Sequence, residues 1–148
     1  MADNSNDKKS SGKSSIGISP KGYPYRVMLI EDSRSVRIVL KQILLSAEFS
    51  VIAEAENGRE AVLKVTNQKI DPDIIIIDYE MPVMNGSEAI REIKPLLPHC
   101  RILMVTSVSS KAVVEEIASL GIDGYLVKPV QRDLLLKKMS AILEKQYK

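Results

Sequence analysis

Tryptophan is absent from this chain of 148 residues, and cysteine, histidine and phenylalanine occur once each. With Cys100 alone, no internal disulfide can form and no thiolate zinc centre can be built; the residue reads as a small buried hydrophobe. His99, the lone histidine, follows Pro98 and reads as an exposed loop residue. An excess of charge is lacking too. The formal net charge is +2, and four lysines against two aspartates in residues 1–25 account for it. The remainder is balanced, which excludes the basic footprint of a nucleic-acid binder. No apolar run approaches the ~18 residues of a membrane span. The N-terminal lysines are followed by no apolar stretch of the secretory kind. The expectation is a cytoplasmic protein with no membrane insertion.

What is present has the 45% hydrophobic and 27% charged composition of a globular domain. Residues 1–24 are rich in Ser, Lys, Asn, Asp and Gly and are expected to form a disordered tail, leaving 25–148 as one domain. Beyond the tail, strand and helix patterns alternate. Strands are predicted at Arg26–Ile30, Val51–Ala55, Ile74–Asp78, Arg101–Thr106 and Gly124–Val127. Val36, Leu40, Ile43 and Leu44 recur at helical spacing, predicting a helix over Arg34–Ala47. Asn57 with Glu60, and Asn85 with Glu88, have capping-box spacing and open the next two helices. Ile90, Ile93 and Leu97 mark the second of these, which Pro95 and Pro98 close. A fourth helix spans about Lys111–Leu120. A last one begins near Val130 and carries Leu135, Met139, Ile142 and Leu143. Five βα units in succession give an α/β fold: a parallel sheet with helices on both faces and right-handed crossovers.

The functional signal lies at the ends of the strands. Asp73-Ile-Ile-Ile-Ile-Asp78 is too apolar and β-branched for a surface strand and reads as one buried on both faces. Its terminal carboxylate, Asp78, sits where open α/β sheets bind ligands. The first strand runs into Glu31-Asp32, the fourth ends at Thr106, and the fifth runs into Lys128-Pro129. Three converging carboxylates are costly together unless a cation binds. Oxygen ligands without His or Cys suit Mg²⁺. An aspartate held there is a competent nucleophile for an aspartyl-phosphate, a lysine is a compact charge for a phosphate, and a threonine hydroxyl can donate to a phosphoryl oxygen.

In order and spacing, Ile30-Glu31-Asp32-Ser33, Ile77-Asp78-Tyr79-Glu80-Met81-Pro82 with Asn85-Gly86, Val105-Thr106-Ser107 and Tyr125-Leu126-Val127-Lys128-Pro129 resemble the receiver domain of two-component response regulators, most of all the single-domain chemotaxis receivers. The resemblance implies a flavodoxin-like, doubly wound (βα)5 three-layer sandwich with strand order 2-1-3-4-5. It implies that Asp78 accepts a phosphoryl group from a sensor histidine kinase, and that Glu31, Asp32, Asp78 and the Glu80 backbone carbonyl bind Mg²⁺. Lys128 would pair with the phosphoryl group, Thr106 would move toward it, and Tyr125 would swing inward as an aromatic switch. Lys128–Pro129 is often cis in such domains. The output surface would comprise the fourth helix, fifth strand and last helix, about residues 111–146. Such a protein signals by switching its binding to a partner protein; it is not a conventional enzyme, catalysing only its own phosphoryl transfer and hydrolysis.

Three positions depart from the chemotaxis pattern, the first being Glu31, which replaces an Asp in the acidic pair. Glu80 stands where those receivers carry a neutral amide, beside the path of the hydrolytic water, and is a candidate modulator of dephosphorylation. Val108 replaces an acid, so a phosphatase that reads that acid would not be inherited. Three other readings compete. A haloacid-dehalogenase-like phosphatase shares the Asp78-Tyr79-Glu80 spacing but places it after its first strand. A flavodoxin-like cofactor binder needs a Gly-rich phosphate loop after the first strand, which is missing here. A degenerate receiver acting only as a docking module would not need the acids, Thr106 and Lys128, which are all retained. His99 lacks the helix-bundle context of a phosphorelay histidine.

Overall fold

A computed structural model of the chain describes residues 15–144. Its elements follow in the order β1 (Arg26–Ile30), α1 (Arg34–Ser46), β2 (Ser50–Ala55), α2 (Gly58–Asn67), β3 (Ile74–Asp78), α3 (Gly86–Ile93), β4 (Arg101–Thr106), α4 (Lys111–Ser119), β5 (Gly124–Val127) and α5 (Arg132–Glu144). The five strands are parallel and ordered β2-β1-β3-β4-β5. This is the doubly wound architecture with the order that the resemblance implies.

All five residues of β3 are buried, because both faces of the sheet are covered. Ile74 and Ile76 point into one core with Val27, Leu29, Leu103 and Val105, roofed by α1 and α5. Ile75 and Ile77 point into the other with Met28, Ile30, Ile102 and Met104, roofed by α2, α3 and α4. Each isoleucine contributes roughly 1.5–3 kcal/mol by burial. Four in a row approach the net stability of a whole small domain, so the strand that ends in Asp78 is the most firmly seated in the molecule.

Helix starts follow their caps. Ser33 accepts from Val36 N at α1, Asn57 from Glu60 N at α2, and Ser110 from Val113 N at α4. Asn85 and Glu88 form a reciprocal capping box at α3. At α2 the box is only half made, since the Glu60 carboxylate accepts from Glu56 N instead. Two boundaries differ from expectation. Leu97 lies past the end of α3, in a turn where its N–H reaches the Ile93 and Lys94 carbonyls; Pro95 has no N–H to continue the ladder. The last helix opens two residues later than Val130, with Leu135 N donating to Gln131 O.

The larger difference concerns the tail. Residues 15–24 are not unstructured but fold back as a clasp. Gly17 N donates to Ala47 O, Tyr25 N to Gly17 O, and Ile18 and Pro24 form an antiparallel bridge. Ile16 packs on the α1/α5 core, and the Ser15 hydroxyl donates to Glu48. The segment is polar by count, but Ile16 covers the core edge and Ile18 bridges to Pro24. The expectation for residues 1–14 lies outside the described residues.

Candidate functional site

The C-terminal ends of β1, β3, β4 and β5 form one crevice. β1 and β3 are direct neighbours in the sheet, which brings Glu31 and Asp32 beside Asp78. Carboxylate oxygens of the three residues lie within 4.8 Å of one another. Glu31 and Asp78 are buried, and Asp32 is exposed at the mouth. The Lys128 Nζ stands 3.0 Å from Glu31 Oε1 and 3.3 Å from Asp78 Oδ2. Asp78 Oδ1 accepts from Glu80 N at 3.2 Å, and Glu31 Oε2 accepts from Ser33 N at 3.0 Å.

These surroundings set the protonation energetics. Burial raises the Asp78 carboxyl above its ordinary value, against the opposing pull of Lys128. Burial likewise raises Glu31, against the Ser33 amide and Lys128. The Lys128 ammonium is disfavoured by burial, but its bond to Glu31 and the charge of Asp78 outweigh that and raise it. Lys128 thus pairs with two of the three acids, Glu31 and Asp78, and among the described residues no ion pair reaches Asp32, so the crevice has an excess of carboxylates over cations. A hard divalent cation with oxygen ligands fits that deficit and donor set.

Thr106 is fully buried, and its hydroxyl is engaged within its own loop: it accepts from Val108 N at 2.9 Å and lies 3.2 Å from Val108 O. Tyr125 is half-buried on β5, packed against the α2/α3/α4 core. Glu80 is exposed, and its carboxylate accepts from the Ser107 hydroxyl, joining the β3–α3 and β4–α4 loops across the mouth. The Lys128–Pro129 bond is cis. Gly86 abuts the end of β3: a Cβ there would overlap the Asp78 carbonyl, so this loop closes only around glycine.

Cys100 is buried, and desolvation pushes its thiol up to about 12, so it is inert as a nucleophile. His99 is exposed and remote from the crevice, at the opposite ends of the strands.

Sequence reasoning missed two features. Arg37 is buried on α1 and donates to the Glu31 carbonyl. The signal was available: Arg37 falls on the same stripe as Leu40 and Leu44, a charged residue in a buried row. Tyr79, next to Asp78, donates to Glu116 Oε1 at 2.6 Å, and Arg91 approaches Glu116 Oε2 at 3.6 Å. That bond lowers the Glu116 carboxyl and raises the Tyr79 phenol. The partners are 37 residues apart in the chain, and no local pattern joins them.

Comparison with known proteins agrees with this geometry. The family model for the response regulator receiver domain matches residues 27–140. The chemotaxis protein CheY of Thermotoga maritima is 35% identical over 117 residues, covering 79% of this chain and 96% of the relative. CheY of Bacillus subtilis is 34% identical over 119 residues, 80% and 98% respectively. Among solved structures, the CheX–CheY–BeF3–Mg²⁺ complex from Borrelia burgdorferi contains a chain that superposes with a TM-score of 0.81 at 29% identity, covering 87% of this chain and 97% of that one. The transcriptional regulatory protein LnrK of Bacillus subtilis matches at 35% identity, but over only 53% of its own length.

Proposed function

The chain belongs to the response regulator receiver domains, and from that premise we propose that it takes a phosphoryl group from a histidine kinase onto Asp78 and thereby switches its binding to a partner protein. The observation that carries this reading is the seating of Asp78. Its carboxylate sits at the end of the most buried strand, with Oδ2 facing Lys128 and Oδ1 tethered to Glu80 N.

In the transfer, a carboxylate oxygen of Asp78 bonds to phosphorus while the bond from phosphorus to the donor's imidazole nitrogen breaks. The electron pair leaves with the imidazole, which regains a proton from solvent. The product is an acyl phosphate. Lys128 is placed to shift from the carboxylates toward the new phosphoryl oxygens, offsetting about −1.5 to −2 added charges. Glu31, Asp32 and Asp78, with the Glu80 carbonyl, would hold Mg²⁺, which when bound supplies electrostatic stabilisation of the transferring group.

Thr106 must give up its bonds to the Val108 backbone to reach a phosphoryl oxygen, which would reshape the β4–α4 loop. Tyr125, on the neighbouring strand, would follow inward. That is how a local charge event biases a two-state element. The affected surface is α4–β5–α5, where Val127 and Leu134 are exposed. Glu80, bonded to Ser107 at the mouth of the crevice, would stand beside an approaching hydrolytic water and is proposed to alter the dephosphorylation rate. The relatives named for chemotaxis make a chemotactic output one candidate, and a phosphorelay intermediate another. Because the Borrelia relative is seen with CheX, a CheX-like protein is the first partner to try.

The test is intact mass after incubation with acetyl phosphate, with and without Mg²⁺, for the parent and Asp78→Asn. The expected result is a Mg²⁺-dependent, alkali-labile phosphoryl adduct that is missing from the variant. An adduct that persists in Asp78→Asn would remove the assignment. No adduct in a parent that binds Mg²⁺ would favour a phosphorylation-independent docking module or a strict requirement for the cognate kinase.

A further inference from the structure

Glu31 and Asp32 can serve a cation only if the turn between β1 and α1 presents them at a fixed distance from Asp78, and we infer that Arg37 is the positioning residue that fixes that turn. The inference rests on the reading that these acids hold Mg²⁺. Arg37 lies five residues after Asp32, one turn into α1, and its side chain runs back beneath the acidic turn. Its Nη1 donates to the Glu31 carbonyl at 2.6 Å. The peptide unit bearing that carbonyl also bears the Asp32 N–H, so the guanidinium sets the orientation of the link joining the two acids. On the other side of Glu31, its own N–H donates to Ala55 O at 3.0 Å. Both peptide units flanking Glu31 are thereby held.

The guanidinium is itself anchored to β2. Arg37 Nε is 3.2 Å from Glu54 Oε1, and Nη2 is 3.8 Å from Glu56 Oε1. Glu54 is held from two further directions: Lys41 Nζ contacts its carboxylate at 2.9 Å, and Lys64 Nζ donates to its carbonyl at 2.5 Å. A buried charge requires such pairing. The carboxylates of Glu54 on β2 and of Glu56 just after it already pair the charge, yet its shortest bond goes to the main chain of the acidic turn. The planar fork of arginine lets one group bridge β2 and the β1–α1 turn at fixed angles, which a lysine cannot do.

The roles open to Arg37 make different predictions for Mg²⁺ binding. A cation close to a cation site acts by repulsion, so a purely Coulombic Arg37 would weaken Mg²⁺ binding and its removal would tighten it. A residue that served only the fold would change the melting temperature and leave the affinity alone. A positioning residue loosens the ligands when removed, and the affinity falls. Residues that orient metal ligands typically cost about 10–100-fold in affinity when replaced.

The experiment is calorimetric Mg²⁺ titration of the full chain for the parent, Arg37→Met and Arg37→Lys, with thermal unfolding recorded for each. Arg37→Met is expected to raise the Mg²⁺ Kd about tenfold. Arg37→Lys retains the charge but not the fork, and a rise in Kd there is geometric. An unchanged or lower Kd in folded Arg37→Met overturns the inference while leaving the magnesium site standing. Should Arg37→Met not fold, an unchanged Kd in Arg37→Lys overturns it equally. A parent that binds no Mg²⁺ instead removes the reading on which the inference rests.

Discussion

Asp78 is kept in a state that costs the resting protein stability. Its carboxyl and that of Glu31 are raised by burial, so the folded chain holds these protons more tightly than the unfolded chain does. For acids so shifted, stability falls as pH rises from the ordinary carboxylate range through the raised values, and the penalty is in place once both are ionised. Asp78→Asn removes one of the two buried carboxylate charges without changing the side chain's size. In EDTA near pH 7.5 the variant is expected to melt higher than the parent, by roughly 2–4 °C for each kcal/mol relieved. The gap should narrow on acidification, because the parent then relieves the same penalty by taking up a proton. Saturating Mg²⁺ should also narrow it by binding the parent preferentially. Scanning calorimetry decides this; a variant that melts lower would mean that losing the Lys128–Asp78 pair outweighs relief of the acidic excess. The strain assigned to the site is then a property of side chains that four buried isoleucines hold in place.

Among the elements, the N-terminal clasp shows where sequence reading stops. Gly17 is pressed against the turn after α1: a Cβ there would overlap Ala47 O, Glu48 C and Phe49 N. All three are backbone atoms and cannot swing aside. Gly17→Ala is therefore expected to lower stability by about 1–3 kcal/mol, read as a lower urea midpoint at unchanged slope. An unaltered midpoint would mean that the clasp contributes nothing to the fold. The alternation of the five βα units was legible because the strands are short, largely apolar runs, unbroken and β-branched in Ile74–Ile77, and each helix has a clear apolar stripe or cap, as with Asn85 and Glu88. The clasp was not, since its pairing with Ala47 and Glu48 spans about thirty residues and leaves no periodicity behind. Asp78, Glu31, Thr106 and Lys128 were legible as site candidates because a parallel sheet places all its strand ends on one edge. Arg37 was hidden, since its acceptors are the Glu31 main chain and carboxylates on a strand that the helical stripe does not reveal. The Tyr79–Glu116 bond was hidden for the same reason: it is tertiary.

Over the whole molecule, firmness is unevenly shared between the sheet and the helix beside the site's moving parts. β1, β3 and β4 are buried almost throughout, whereas α4 buries only Ile117 among its nine residues. Beyond Ile117, α4 is held by the half-buried Val113 on the core and by peripheral polar contacts, the Tyr79–Glu116 bond and the half-exposed Arg91–Glu116 pair. Elements with few buried apolar contacts open locally at low free energy, and core strands open only with the whole fold. Amide hydrogen exchange should therefore proceed first in residues 107–119 and last in β1 and β3. On the proposed mechanism the acyl phosphate, or a stable mimic of it with Mg²⁺, would draw Thr106 away from Val108. Under that load the change in protection should concentrate in 107–119 and β5, with β1–β3 nearly unchanged. Uniform slowing across all strands would indicate simple stabilisation by ligand binding, and would argue against a switch confined to α4–β5–α5. Glu116→Gln supplies the internal control: by weakening the bond to Tyr79 it should speed exchange in α4 without touching β3. The division between a rigid sheet that seats Asp78 and a lightly held helix next to Thr106 would then be measurable before any partner is identified.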